Sequence, residues 1–176
     1  MRLLIGITGN MGSGKSLAAD YITRKYHCKK LRLSGKMREI ALELEIEPTR
    51  DFLQGIGKFM RDFDDDVWVR YIFNKVQSSE SPIVIDDIRR ENETKYLQPL
   101  GFQYIRIDTR SDIRKSRIEN RVEGKITDAD WDRWTTHLTE NQVMELEVDY
   151  QIENNGTIGE LQEQLDTVIM EIQKKR

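Results

Sequence analysis

Residues Gly9-Asn10-Met11-Gly12-Ser13-Gly14-Lys15-Ser16 carry the densest chemistry in the chain. They fit GxxxxGK[ST] without a mismatch, the pattern of a loop that wraps a row of phosphates. A phosphate chain needs many donors at short range. Gly12 and Gly14 remove Cβ atoms, so backbone N–H groups can turn inward and form an anion nest. A helix starting at Lys15 adds the partial positive charge of its N-terminus. Lys15 has the length to reach the β- and γ-phosphates, and the Ser16 hydroxyl suits Mg²⁺. Gly9, Asn10, Met11, Gly12, Ser13, Gly14, Lys15, Ser16 and Leu17 are the candidate nucleotide-binding residues. The bland reading is a Gly-rich turn that happens to contain Lys-Ser. The apolar run before the motif and the amphipathic pattern after it speak against that reading.

A second cluster follows another apolar run. Ile83-Val84-Ile85 leads into Asp86-Asp87-Ile88-Arg89-Arg90. A carboxylate at the end of a central strand beside the loop would hold Mg²⁺ or its waters. Adjacent strand residues face opposite sides, so one of the two serves. Asp87 is the first choice and Asp86 the second, with helix capping as the bland role for both. Arg89 suits bidentate contact with a phosphate, or an ion pair with Glu91 or Glu93.

These residues need a scaffold. Apolar runs at 2–7, 29–33, 83–86, 102–108 and 148–152 read as strands, and the first and third are apolar enough to be buried on both faces. Helical stripes lie between them: Leu17, Ala18, Tyr21, Ile22 and Tyr26; then Met37, Ile40, Ala41 and Leu44; then Phe52, Leu53, Ile56, Phe59, Met60 and Phe63. Asp64-Asp65-Asp66 reads as the N-terminal cap of the next helix. Thr157 and Glu160 have capping-box spacing before Ile158, Leu161, Leu165, Val168, Ile169 and Ile172. Alternating strands and helices predict an α/β fold with a parallel sheet. Two stretches, about 36–80 and about 111–147, are longer than simple crossovers and should overhang the strand ends that carry the chemistry.

The 176 residues suffice for one domain, with 38% apolar and 34% charged residues. A net charge of −3 gives no global field toward nucleic acid or a membrane. The single cysteine, Cys28, excludes an internal disulfide or zinc site and reads as a small hydrophobe in a cytoplasmic protein. No apolar stretch is long enough to span a bilayer.

With these residues in hand, nearly the whole chain resembles the P-loop nucleoside monophosphate kinases. It is most similar to the phage-type deoxynucleoside monophosphate kinases and their dephospho-CoA-kinase-like relatives. Asp87-Ile88-Arg89 followed by Asn92-Glu93 looks like a segment of the phage-type enzymes. So do His137-Leu138-Thr139-Glu140, Asp149-Tyr150-Gln151-Ile152 and Asn154-Asn155-Gly156-Thr157. The resemblance implies a three-layer P-loop NTPase fold with strand order 2-3-1-4-5, a helical acceptor-binding insertion and a lid. It implies Asn155 beside the nucleotide base. Leu33-Ser34-Gly35-Lys36-Met37-Arg38 is similar to the acceptor segment of adenylate kinases, with Lys36 where Asp is usual. Ser34 and Arg38 carry over as acceptor residues; Gln54 and Arg61 lie on the implied acceptor wall with Gly55 and Gly57. Arg61 could instead pair with Asp62 to Asp65. Of Arg114, Arg117 and Arg121 on one helix face, Arg117 and Arg121 carry over as lid arginines that close on ATP. Trp131, Trp134 and Leu138 pack the lid, and His27 and His137 have no catalytic role.

The expected reaction is transfer from Mg-ATP, or another nucleoside triphosphate, to a small phosphorylated acceptor. Lys15, Arg89, Arg121 and Asp87 would be catalytic. Dephospho-CoA kinase, another phosphometabolite kinase and a regulatory P-loop ATPase are the competing readings, in a monomer or homodimer without nucleic-acid or membrane partners.

Overall fold

The computed structural model describes residues 2–122, 125–136 and 138–175, without the side chains of Arg50, Val122, Leu138 and Thr139. Five strands, β1 (Leu4–Thr8), β2 (Lys29–Leu31), β3 (Ile83–Ile85), β4 (Gln103–Asp108) and β5 (Tyr150–Glu153), form one sheet. Every pairing is parallel and the order is β2-β3-β1-β4-β5, as expected from the resemblance. β2 and β3 are shorter than the sequence predicts. Asp86 and Asp87 therefore fall just past β3, where the chain leaves the ladder.

Strand alternation splits the core into two layers. Ile5, Ile7, Val84, Ile105, Ile107 and Ile152 face α1 (Lys15–Lys25) and the C-terminal helix. Leu4, Ile83 and Ile85 face the other layer, whose helices include α2 (Gly35–Glu43), α3 (Arg50–Phe63), α4 (Val67–Gln77) and α5 (Glu91–Leu97). Each fully buried Ile or Leu contributes about 1.5–3 kcal/mol of apolar transfer, so the sheet is the rigid part of the molecule.

A 3₁₀ turn at Gln98–Leu100 leads into β4. Three helices, α6 (Ser111–Val122), α7 (Asp128–Thr135) and α8 (Leu138–Glu145), fill the insertion before β5. Trp131 packs there with Ile118 and Ile126, joined by Trp134 and by Met11 of the loop, which bears out the packing role of the two tryptophans. The Leu138 side chain and His137 lie outside the described residues. The last helix, α9 (Ile158–Lys174), starts with the expected capping box: Thr157 Oγ1 accepts the Glu160 N–H at 3.2 Å, and Glu160 accepts the Thr157 N–H at 2.7 Å. Cys28 is buried, and burial pushes its thiol up to about 11.

Three expectations need correction. In α3, Leu53, Ile56 and Met60 pack inward, but Phe59 and Phe63 point outward and stack edge-on against each other at 5.1 Å. Leu44, at the end of α2, is likewise exposed. The acidic run does not cap α4 through a side-chain bond. Asp64 pairs with Arg70, Asp65 with Arg90, and Asp66 accepts from Asn92 at 2.8 Å, so the run ties the α3–α4 corner to the start of α5. No helix among the described residues is long and apolar enough to cross a membrane.

Candidate active site

Every strand delivers a polar group just beyond its C-terminal end, the edge where ligands bind in open α/β sheets. β1 delivers the 9–14 loop, β2 Arg32, β3 Asp86 and Asp87, β4 Thr109, and β5 Asn154.

The loop is held from outside. Asn154, which is buried, donates from Nδ2 to the Ser13 carbonyl at 2.8 Å. Thr109 Oγ1 lies 3.1 Å from that same carbonyl and 3.1 Å from the Asn154 carbonyl. Gly14 has φ near +100°, and a Cβ there would run into the Asn154 amide. Gly12 has φ near +80°, and its Cβ would lie 2.9 Å from the Arg114 carbonyl. Each glycine thus lets another segment close on the loop, besides freeing its own N–H groups.

Lys15 begins α1 and folds back, donating to the carbonyls of Gly9 at 2.6 Å and Asn10 at 2.7 Å. Withdrawal from water and the neighbouring Arg89 push its ammonium down to about 7. Leu17 turns its side chain into the core and has only its backbone N–H to offer a phosphate.

The two carboxylates after β3 face different neighbours. Arg32 grips Asp86 with two bonds of 2.9 Å, and the same Nη2 comes within 3.5 Å of the Ser16 hydroxyl oxygen. Lys30 adds a contact of 2.9 Å to Asp86. Burial alone would raise the Asp86 carboxyl; Arg32 and Lys30 outweigh it and hold the group below the usual carboxylate range. Asp87 turns the other way. It accepts the N–H groups of Leu33 and Ser34 at 2.8 and 2.9 Å and the Ser34 hydroxyl at 2.8 Å. Separation from water pushes its carboxyl up, against those donors. Asp86 thus shares the Arg32 guanidinium with Ser16, whereas Asp87, the first choice for the metal, is committed to Leu33 and Ser34. Ser16 and Asp86 are hard oxygen donors suited to Mg²⁺. Among the described residues no cluster of three or more His, Cys, Asp or Glu could hold a metal unaided, so phosphate oxygens would have to complete the shell.

The Arg89 guanidinium donates to Glu140 of α8 at 2.9 Å, and only its backbone N–H goes to Glu93, at 2.7 Å. Glu140 has a side chain only 1% exposed, and it also accepts the Met11 N–H at 2.7 Å and the Asn10 amide at 3.1 Å. Burial alone would raise its carboxyl, but Arg89 and the loop donors hold it low.

On α6, Arg114 reaches the Met11 carbonyl at 3.2 Å, and Arg117 lies 3.4 Å from Asn154 Oδ1. Arg114 Nε and Arg117 Nη1 are buried without a partner. Arg121 is exposed and engaged by no hydrogen bond or ion pair among the described residues. Arg114 thus takes the place beside the loop that the resemblance implies for Arg121. Asn155 is exposed and accepts the Arg110 N–H at 2.9 Å; its neighbour Asn154 is the one on the loop.

On the other insertion, Arg38 Nε is buried without a partner. The Ser34 hydroxyl is committed to Asp87. Arg61 forms no ion pair among the described residues; Lys58 pairs with Asp62 and Arg90 with Asp65, and Glu93, Asp65 and Asp62 act on Arg61 from farther off. Withdrawal from water and the nearby Arg90 lower its pKa. Gln54 is exposed. A Cβ at Gly57 would sit 3.4 Å from Met37 and Arg61, at ordinary contact distance, whereas Gly55 faces open space, so neither glycine is required by close packing.

Glu140, Arg32, Arg114 and Asn154 complete the site, though sequence reasoning gave none of them a role. Arg114 was signalled by its spacing from Arg117, and Glu140 and Asn154 by the segments that carry the resemblance, whereas Arg32 left no signal.

A family model described as an AAA domain matches residues 5–147. The chain belongs to that AAA-domain family. The AAA-domain match stops before β5, so Asn154 lies beyond it. An uncharacterized protein, ORF77, of Ictalurid herpesvirus 1 (strain Auburn) is 32% identical over 133 residues, 68% of this chain and 58% of that protein. The chain spans about half the length of the curated relatives it matches, 45% of one and 58% of the other. Among solved structures, a gluconokinase from Sinorhizobium meliloti 1021 is 15% identical with TM-score 0.61, covering 99% of each chain. A shikimate kinase from Acinetobacter baumannii in complex with shikimate is 11% identical with TM-score 0.66, covering 100% of this chain and 96% of that one. At these identities the likeness shows the shared P-loop NTPase fold.

Proposed function

We propose that the chain is an ATP-dependent phosphotransferase that passes the γ-phosphate to a small phosphorylated acceptor, a nucleoside or deoxynucleoside monophosphate. The observation that carries this reading is the distribution of unmatched guanidinium groups. Arg114 and Arg117 on the insertion before β5, and Arg38 on the insertion after β2, each leave a buried N–H without a partner. Arg61, half-buried and in no ion pair among the described residues, adds a cation on the second of these, with Glu93, Asp65 and Asp62 near enough to act on it. Buried polar groups in folded proteins are normally satisfied, so orphaned guanidinium atoms mark places for an anion. Two insertions with such groups suit two anionic ligands, whereas hydrolysis needs one triphosphate and water. The likeness to a gluconokinase and a shikimate kinase supports a small-molecule acceptor.

In this reading the loop amides and Lys15 bind the triphosphate, with Arg117 and Arg114 over it. Ser16 and Asp86 would hold Mg²⁺, which would supply positive charge against the phosphates. Asp87 positions Ser34 and the start of α2 at the acceptor side. Arg38 and Arg61 bind the acceptor phosphate, and Arg89 meets the charge on the group in transfer. Catalysis is positioning and electrostatics, with the helices over the loop excluding water.

The test is ADP release from Mg-ATP with a panel of ribo- and deoxynucleoside monophosphates and dephospho-CoA. Stimulation of at least about tenfold by one or a few nucleotides is expected, with Lys15→Ala abolishing it. Stimulation by dephospho-CoA alone would name the competing kinase. Release indifferent to every acceptor would refute transfer in favour of a regulatory ATPase.

A further inference from the structure

We infer that Glu140 is a positioning residue for this transfer: it fixes the Arg89 guanidinium relative to the phosphate loop and links both to α8. The inference rests on the phosphotransferase reading. It starts from the cost of a carboxylate at 1% exposure, which is tolerated only when its lone pairs are matched. They are. One oxygen takes Arg89 at 2.9 Å, and the other takes the Met11 N–H at 2.7 Å and Asn10 Nδ2 at 3.1 Å. Asn10 Nδ2 also donates to the Glu140 carbonyl at 2.9 Å. One residue thereby joins the loop after β1, the arginine after β3 and a helix of the insertion before β5.

The pairing leaves the rest of the site free to act. Arg89 is 34% exposed and its side chain makes no other hydrogen bond or ion pair among the described residues, so its remaining N–H groups are available in a plane fixed by the ion pair. Lys15 is not consumed by Glu140; it rests on carbonyls of its own loop. A glutamine at this position has one acceptor and one donor end. Either end it offers to Arg89, the other faces Met11, so one donor is set against another donor or left unmatched. Arg89 then loses its fixed direction.

The test is a double-mutant cycle on acceptor-dependent ADP release with Glu140→Gln, Arg89→Ala and the pair. Glu140→Gln is expected to lower kcat at least about tenfold while KM for ATP moves less than about threefold. The double variant should be no slower than Arg89→Ala, because Glu140 acts through Arg89. Multiplying losses would overturn the inference, as would tighter ATP binding with unchanged kcat, which would make Glu140 a competitor of phosphate. A second readout needs no turnover: in ¹⁵N spectra of the wild-type protein the Arg89 guanidinium should exchange slowly. A fast-exchanging Arg89 there overturns the inference even if Glu140→Gln does not fold. A wild-type protein with no acceptor-stimulated release, but a slowly exchanging Arg89, refutes the phosphotransferase reading and leaves the Glu140–Arg89 geometry standing.

Discussion

A lysine ammonium near pKa 7 is poorly charged at the pH where most nucleotides are bound, and Lys15 is in that position before its ligand arrives. An anion beside it raises the value again. Above pH 7 the complex therefore holds more protons than the free protein, so binding takes up a proton and affinity falls as pH rises. Below pH 7 Lys15 is already charged and this dependence levels off. Calorimetry of ATP binding in two buffers of different ionisation enthalpy should find uptake approaching about one proton at roughly pH 8. Lys15→Arg should abolish it. The loop itself was legible because its signal is contiguous: eight residues with a strand before and a helix after. Glu140 stood in a segment of the resemblance, but its contact with the loop was not legible, because 129 positions separate it from Met11 and no spacing rule joins them. Asp86 and Asp87 were a two-way choice on alternation alone. Their partners, Arg32 for the one and Leu33 and Ser34 for the other, were not legible from it.

Among the elements, α5 depends on one buried acid. Glu93 accepts the N–H groups of Arg89 at 2.7 Å and Arg90 at 3.0 Å, and burial pushes its carboxyl up to about 7. Glu93→Ala leaves both N–H groups unmatched and should cost about 2–4 kcal/mol, read from the urea midpoint at constant slope. Glu93→Gln keeps one acceptor oxygen and sheds the charge, so it should cost less than half as much. The start of α9 was legible from its cap, Thr157 forming its box with Glu160, whereas the cap of α3, where Thr49 accepts the Phe52 N–H at 3.2 Å, was not read from sequence. The inward face of α3 was only partly legible. Its apolar residues cover more of the helix surface than α2 and α4 can bury, so Phe59 and Phe63 are left outside.

At the scale of the whole molecule, strand count and parallel pairing agree with what the apolar runs between helical stripes predict, and the strand order agrees with what the resemblance implies. The family match ends at residue 147, yet the core does not. β5 pairs with β4 along four positions, and α9 buries Leu161, Leu165, Ile169 and Ile172 against the sheet. A chain cut to residues 5–147 would lose the β5 edge and α9, leaving α1 alone to cover one face of the sheet. It should show no cooperative thermal transition, whereas the 176-residue chain should show one.

The two donors that Asn154 and Thr109 aim at the Ser13 carbonyl have a kinetic consequence. A loop already clamped in its phosphate-accepting shape surrenders little freedom when nucleotide arrives. Encounter, not rearrangement, then sets how fast nucleotide enters the loop. Substitutions that alter the fit of the phosphates would show themselves mainly in how long the nucleotide stays.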